Sequence, residues 1–376
     1  MNLILAILVI LSAFHVLVPY VYYLFMKRIA ERRPWGLVLD QDYEPKVSMI
    51  IPTYNEASVI VKKLQNIEKL DYPKEKLEVI IVDSASRDTT VDMAKKYVKK
   101  NGFPFKILIL EEEERRGKGK ALNFALQYSK GEVIATSDAD SYWEASALRK
   151  ALRYMAYPQI GAVTGREILI NLNRNDYTTA EGLYRKFYNT LRIGESKYYS
   201  TLIFQGEFAV YKREVFEKFE DEKGSDDTGT VINIISKGLR CIFVPNAVFH
   251  DMAPSTWKGR MTVKTRRAQH LIYALTKAVK LKIKRRIPMS SLIIFVNFFL
   301  HVINPLLSIA LLGSLIYLLY EFPLFLVCIP LLFLSRKLRA FLLSYISNNI
   351  ALVLAIFRCI KGDRQDIWRK VPEMRY

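Results

Sequence analysis

Apolar positions fall into three regimes along this chain. Residues 3–25 carry no Asp, Glu, Lys or Arg, which is long enough for a helix to cross a bilayer. A second apolar block covers 289–358. It opens with an uncharged stretch, 291–320, that contains Asn304-Pro305. Glu321-Phe322-Pro323 interrupts it, a shorter run follows at 324–334, then basic 335–339 and apolar 340–357. Two spans are read here. Three or four remain open, because 324–334 is short and Pro305 can split the first stretch into a hairpin. Between the two blocks the pattern alternates. Short apolar runs at 47–51, 77–82, 105–110 and 132–137 read as buried strands, and 56–69, 88–100, 119–129 and 144–156 read as helices. That alternation predicts an α/β domain with a mostly parallel sheet covered on both faces.

Charge refines the layout. Lys27, Arg28, Arg32 and Arg33 follow the first apolar run and place that end in the cytoplasm, with the first residues on the far side. No basic region precedes the run, which argues against a cleaved signal peptide. The basic tail favours a cytoplasmic C-terminus and an even number of spans. Much of the net charge of +19 sits beside the membrane segments, at Lys277, Lys280, Lys282, Lys284, Arg285 and Arg286. Such residues bind anionic lipid headgroups, and no nucleic-acid motif accompanies them. Residues 255–288 mix these cations with Trp257, Leu271, Ile272 and Tyr273, as an amphipathic helix on the bilayer surface would; a solvated helix face is the competing account. Cys241, Cys328 and Cys359 are too scattered for a disulfide framework or a zinc site.

The expected organisation is an N-terminal transmembrane helix (1–27), a cytoplasmic catalytic domain (28–254), interfacial helices (255–288), a C-terminal transmembrane region (289–358) and a basic tail (359–376). The whole is a multi-pass protein of the cell membrane.

Chemistry-bearing residues gather at the ends of the expected strands, where ligands bind in such sheets. Asp138 and Asp140 end the strand 132–137, and alternate residues of a strand share a side, so both carboxylates can face one ligand. Hard oxygen ligands suit Mg²⁺ or Mn²⁺ shared with a diphosphate; a capped turn before a helix is the plain alternative. The first strand runs into Pro52-Thr53-Tyr54-Asn55-Glu56 and the second into Asp83. Asp83 can accept from a base N–H, and in the loop 115–123 Lys118 or Lys120 can neutralise a phosphate. Each loop alone is an ordinary strand-to-helix turn, and the basic loop lacks the P-loop spacing. Acidic and basic groups at four successive strand ends make a rim.

These segments, in this order, resemble the family 2 glycosyltransferases, which include cellulose, chitin and hyaluronan synthases and dolichyl-phosphate-sugar synthases. The likeness runs through most of 46–270 and implies a GT-A fold with a nucleotide-diphospho-sugar donor, such as a UDP- or GDP-sugar. It implies that Thr53, Tyr54, Glu56 and Asp83 hold the nucleoside and Lys118 the diphosphate. Asp138 and Asp140 would face donor and metal, with Asp140 the more direct ligand. The segment 204–213 resembles the family's floor beneath the acceptor, where Gly206 permits close backbone approach. Asp226-Asp227 resembles the family's Glu-Asp pair and implies Asp227 as general base of an inverting transfer, with Asp226 in place of Glu. A helix cap is the other reading of that pair.

Processive members carry Gln-x-x-Arg-Trp beyond this point. Here the stretch is 263–270, in which Arg266 and Arg267 keep a diphosphate-binding character but no Trp follows. The expectation is therefore a hexosyltransferase acting on a lipid-linked or membrane-proximal glycan acceptor. The alternatives are a processive polysaccharide synthase completed by a homo-oligomer or partner, and a non-catalytic nucleotide-sugar-binding scaffold. His250 is a candidate third metal ligand, with a partly buried strand-end histidine the other reading.

Overall fold

The computed structural model describes residues 3–222, 225–324, 335–363 and 371–374. Its centre is an eight-stranded sheet: β1 (Val47–Thr53), β2 (Leu77–Asp83), β3 (Lys106–Glu111), β4 (Val133–Thr136), β5 (Tyr142–Trp143), β6 (Ile160–Leu169), β7 (Ala209–Lys212) and β8 (Arg240–Asp251). The spatial order is β3-β2-β1-β4-β7-β6-β8-β5. Helices α2 (Ile60–Glu68), α3 (Thr90–Asn101), α4 (Lys118–Leu126) and α5 (Ala147–Met155) connect the first half. Strand side chains alternate between two cores. Met49, Ile51, Val79 and Ile81 pack on one face of the sheet, and Ile50, Ile80, Val82 and Ile134 on the other. Burial on both faces is why these strands read as continuous apolar runs.

The sheet is mixed and mostly parallel, as the alternating pattern predicted. β7 pairs antiparallel with both β4 and β6, and β5 antiparallel with β8, while β1, β2, β3 and β4 are mutually parallel and β6 runs parallel to β8. The reversal has a consequence for chemistry. Ala209, the first residue of β7, pairs with Thr136, the last of β4. The residues just before β7 therefore enter the sheet at the carboxyl end of β4, beside Asp138.

The second half adds α6 (Asp176–Tyr198), α7 (Asp226–Ser236) and α8 (Trp257–Ile283). A capping box starts α6: the Thr178 N–H donates to Asn175 Oδ1 and the Asn175 N–H to Thr178 Oγ1. The apolar helices are α1 (Leu3–Arg32), α9 (Ser291–Phe298), α10 (Asn304–Glu321) and α11 (Arg336–Lys361). Among the described residues, three helical stretches are long and apolar enough to cross a membrane: 5–32, 291–321 and 336–361. Pro305 does not fold the second into a hairpin. A π-turn at 299–303 joins α9 to α10 and leaves the proline at the start of the next helix, where its missing N–H costs nothing. The expected short run 324–334, on which the parity of the spans turns, lies outside the described residues, apart from Leu324.

Polar contacts tie the apolar helices to each other and to the domain. His15 of α1 meets Tyr345 Oη of α11 at 2.6 Å and the Asn304 carbonyl of α10 at 3.0 Å. Buried Glu195 of α6 accepts from Tyr22 Oη of α1 and Asn297 Nδ2 of α9, each at 2.7 Å. The stretch 257–283 forms one helix, α8, which buries Val263, Ala268, Ile272 and Leu275 against the domain and α11.

Candidate active site

A cavity of about 950 Å³ opens at the carboxyl ends of the central strands. Thr53, Tyr54, Glu56, Lys118, Asp138, Asp140, Gly206, Asp226, Asp227, Arg266 and Arg267 all line it. Asp83 sits behind this wall. It accepts from Thr53 Oγ1 at 2.9 Å, from the Ser86 N–H at 2.8 Å and from Ser86 Oγ at 2.5 Å, and so fixes the turn after β2. The turn after β1 needs Asn55 in the left-handed region, φ 54°, a conformation asparagine tolerates. Above it the Arg115 guanidinium stacks on Tyr54, 3.6 Å from the ring centroid.

Lys118 opens α4 immediately after Gly117, whose φ of 101° only glycine adopts readily. Its ammonium lies 2.6 Å from Asp138 Oδ1 and 3.6 Å from Asp226 Oδ2. Burial opposes the charge, but Asp138, Asp226 and Glu207 hold Lys118 above the ordinary lysine range. The Asp138 loop is braced from below. Lys63 Nζ of α2 donates to Ser137 Oγ and to the Ser141 carbonyl, both at 2.6 Å. Ser141 Oγ and Trp143 Nε1 in turn donate to the Glu207 carbonyl, at 3.1 and 3.0 Å.

On the facing wall, a Cβ on Gly206 would lie 2.9 Å from Lys118 Nζ and 3.4 Å from Asp227 Oδ2. The glycine thus leaves room where the two halves of the rim converge. Ser225 Oγ and the Thr228 N–H both donate to Asp227 Oδ1, while Oδ2 is the oxygen nearest Gly206. Burial and the adjacent Asp226 carboxylate push the Asp227 carboxyl up to about 6. Arg266 is brought down to about 10 by burial and by Arg267. Arg267 lies 2.5 Å from Glu207 Oε1.

Asp138 and Asp140 fit a hard divalent cation by donor type, and the open cavity beside them leaves room for diphosphate oxygens to complete its shell. Among the described residues no group of three His, Cys, Asp or Glu forms a ready-made cage. His250 on β8 instead lies 3.7 Å from Glu144.

A buried ionic layer in the cavity wall went unread in the sequence. Arg185 of α6 lies 2.7 Å from Glu167 and 3.1 Å from Glu181; Glu181 also meets Arg260 and Lys264, each at 2.9 Å. Burial works against Glu181, yet Lys264, Arg185 and Arg260 hold it well below the carboxylate range. Asp251, at the end of β8, is pushed well up by burial and by Glu167. The Glu181/Arg185 spacing of four inside a helix was the one local signal available.

Comparison with known proteins places this geometry. Residues 48–219 match the family model described as glycosyl transferase family 2. A solved mannosyltransferase, PcManGT from Pyrobaculum calidifontis, described in complex with GDP-Man and Mn²⁺, aligns with a TM-score of 0.81 at 32% identity, covering 96% of this chain and all of that one. The chain belongs to glycosyltransferase family 2. Its sheet is accordingly of the GT-A type. Among curated relatives, the probable glycosyltransferase YdaM of Bacillus subtilis is 30% identical over 279 residues, 70% of this chain and 65% of that protein. The beta-monoglucosyldiacylglycerol synthase of Trichormus variabilis is 33% identical over 141 residues, 36% of this chain and 29% of that protein. The family member described here therefore spans less than two thirds of the length of either curated relative.

Proposed function

We propose that this protein is a membrane-anchored, inverting hexosyltransferase that moves a sugar from a nucleotide-diphospho-sugar to a lipid-linked or membrane-proximal acceptor. The observation that carries the reading is the continuity of one cavity. It runs from Thr53, Lys118 and Asp138, past Asp227, to Tyr23 of α1, Leu315 of α10 and Tyr345 of α11. A donor site and apolar helices sharing a cavity suit a water-soluble donor and a membrane-held acceptor. The full-length match to a mannosyltransferase solved with GDP-Man supports a guanosine-linked hexose, and the glycolipid-forming relative supports a lipid acceptor.

In this reading Thr53, Tyr54, Glu56 and the Asp83-braced turn hold the nucleoside, and Lys118 and Arg266 face the diphosphate. Asp138 and Asp140 would hold Mn²⁺ or Mg²⁺, which neutralises charge on the leaving diphosphate. Asp227 Oδ2 takes the proton from the acceptor hydroxyl as that oxygen bonds to the anomeric carbon, and the C–O bond to the diphosphate breaks on the opposite face. Asp226 and Gly206 shape the contact between the two substrates. The catalytic domain faces the cytoplasm, where the donors are made.

A donor screen tests this proposal. Purified protein in lipid nanodiscs, supplied with Mn²⁺ or Mg²⁺, is incubated with GDP-, UDP- and dTDP-sugars and membrane lipid extract. Metal-dependent release of GDP together with a lipid one or two hexoses heavier is the expected result. A long polymer ladder would overturn the single-transfer reading, and absence of any sugar transfer across all donors and extracts would overturn the enzyme.

A further inference from the structure

Helix α2 buries one face in the core, made of Ile60, Lys63, Leu64 and Ile67. That spacing is the stripe an amphipathic helix reserves for apolar residues, and a lysine is out of place in it. Lys63 is 1% exposed, and its Nζ donates to Ser137 Oγ and to the Ser141 carbonyl, each at 2.6 Å. The same ammonium lies 5.8 Å from the Trp143 ring centroid. Asp138 and Asp251 attract it, but its hydrogen bonds go to uncharged oxygens. An ion pair therefore does not account for its burial.

What the ammonium holds is a short loop, 137–141. Ser137, Ala139 and Ser141 are buried, whereas Asp138 and Asp140 between them are half-buried and line the cavity. The two ends meet: Ser137 Oγ lies 3.1 Å from Ser141 Oγ, and the Ser141 N–H donates to the Asp138 carbonyl at 3.3 Å. An ammonium has three donors, so one group can hold oxygens from both ends of a loop. A buried charge is costly unless its hydrogen bonds are met. Methionine, of similar length, would bury without that cost and would grip nothing. We infer that Lys63 is a positioning residue of the transfer site: by clamping both ends of 137–141 from beneath, it sets how Asp138 and Asp140 meet a divalent cation. The proposal rests on the reading of those two aspartates as metal ligands and deepens it.

Mn²⁺ binding measured without turnover tests the clamp. The full chain in maltoside micelles is titrated with Mn²⁺ alone and with GDP present, and the unfolding temperature serves as a check on folding. Lys63→Met should weaken Mn²⁺ binding about tenfold or more. Coulomb's law alone predicts the opposite, since a neighbouring positive charge has gone. Lys63→Gln keeps a donor and should lose less. Ser137→Ala deletes one of the two grips, so it should weaken binding by itself but add little to Lys63→Met. Unchanged or tighter Mn²⁺ binding by folded Lys63→Met would overturn the proposal, even where its unfolding temperature falls. Should that variant not fold, unchanged binding in Ser137→Ala overturns it instead. Asp140→Ala separates the clamp from the metal reading beneath it. Retained Mn²⁺ binding there would sink both, whereas its loss beside undiminished binding in Lys63→Met would sink the clamp alone. Sugar transfer enters none of these outcomes.

Discussion

Asp227 shows how a single side chain can be tuned by position. Its pair with Asp226 was legible in the sequence; the burial that pushes it to about 6 was not, because that comes from β7, α4 and α7 meeting in space. As the proposed base, Asp227 must be ionised to accept a proton. Transfer should therefore rise with pH through about 6 and level off above it, as read from a kcat/KM profile. Asp227→Asn should lower kcat on the order of 10²- to 10⁴-fold and flatten the profile while donor affinity persists. A variant with the unaltered profile would point to another base. Lys63 is the residue that sequence reasoning passed over, as one cation in a helix with several. Fully buried, it is pulled by desolvation from 10.5 to about 7. The unfolded chain then holds the extra proton between those values, so stability should climb as pH rises from about 7 towards 10. Lys63→Met should flatten that climb by up to about 1.4 kcal/mol per pH unit, measured as thermal midpoints at pH 7 and 9. An unchanged slope would show that Lys63 is not desolvated as described.

At the scale of elements, β1 to β4 and their helices were readable because each strand is apolar throughout and each helix begins at a polar turn. Observed bounds differ by a few residues, as with α2, which starts at Ile60 rather than 56. In the second half only the helix after Asp226-Asp227 and the one within 255–288 were readable. In α6, buried Glu181, Arg192 and Glu195 occupy core-facing positions that periodicity would assign to apolar residues. The four residues of β7 are too few to declare a direction. Charges placed this way carry real stability. Glu195→Leu would strand the Tyr22, Thr201 and Asn297 donors at once, each about 1–3 kcal/mol if left buried and unpaired. Loss of about 3 kcal/mol or more is expected, visible as a lower unfolding temperature in detergent. A variant as stable as the parent would mean that these donors find water.

For the molecule as a whole, the two apolar blocks and the domain between them were plain from hydropathy. That they enclose one cavity with the sheet was not, since it depends on how α1, α6, α10 and α11 pack. The layout puts the rim of Thr53, Lys118 and Asp138 and the apolar helices within one enclosure, and the proposed transfer rests on that enclosure. The decisive measurement is transfer from the best donor to lipid in nanodiscs by the unaltered chain and by Asp227→Asn and Asp140→Ala, with Mn²⁺-dependent donor binding followed in parallel. The account predicts one discrete glycolipid of inverted anomeric configuration from the unaltered chain. Asp227→Asn should bind donor without transferring it, and Asp140→Ala should lose the metal-dependent part of binding. Full transfer by either variant, or a product that retains the donor's configuration, would contradict it.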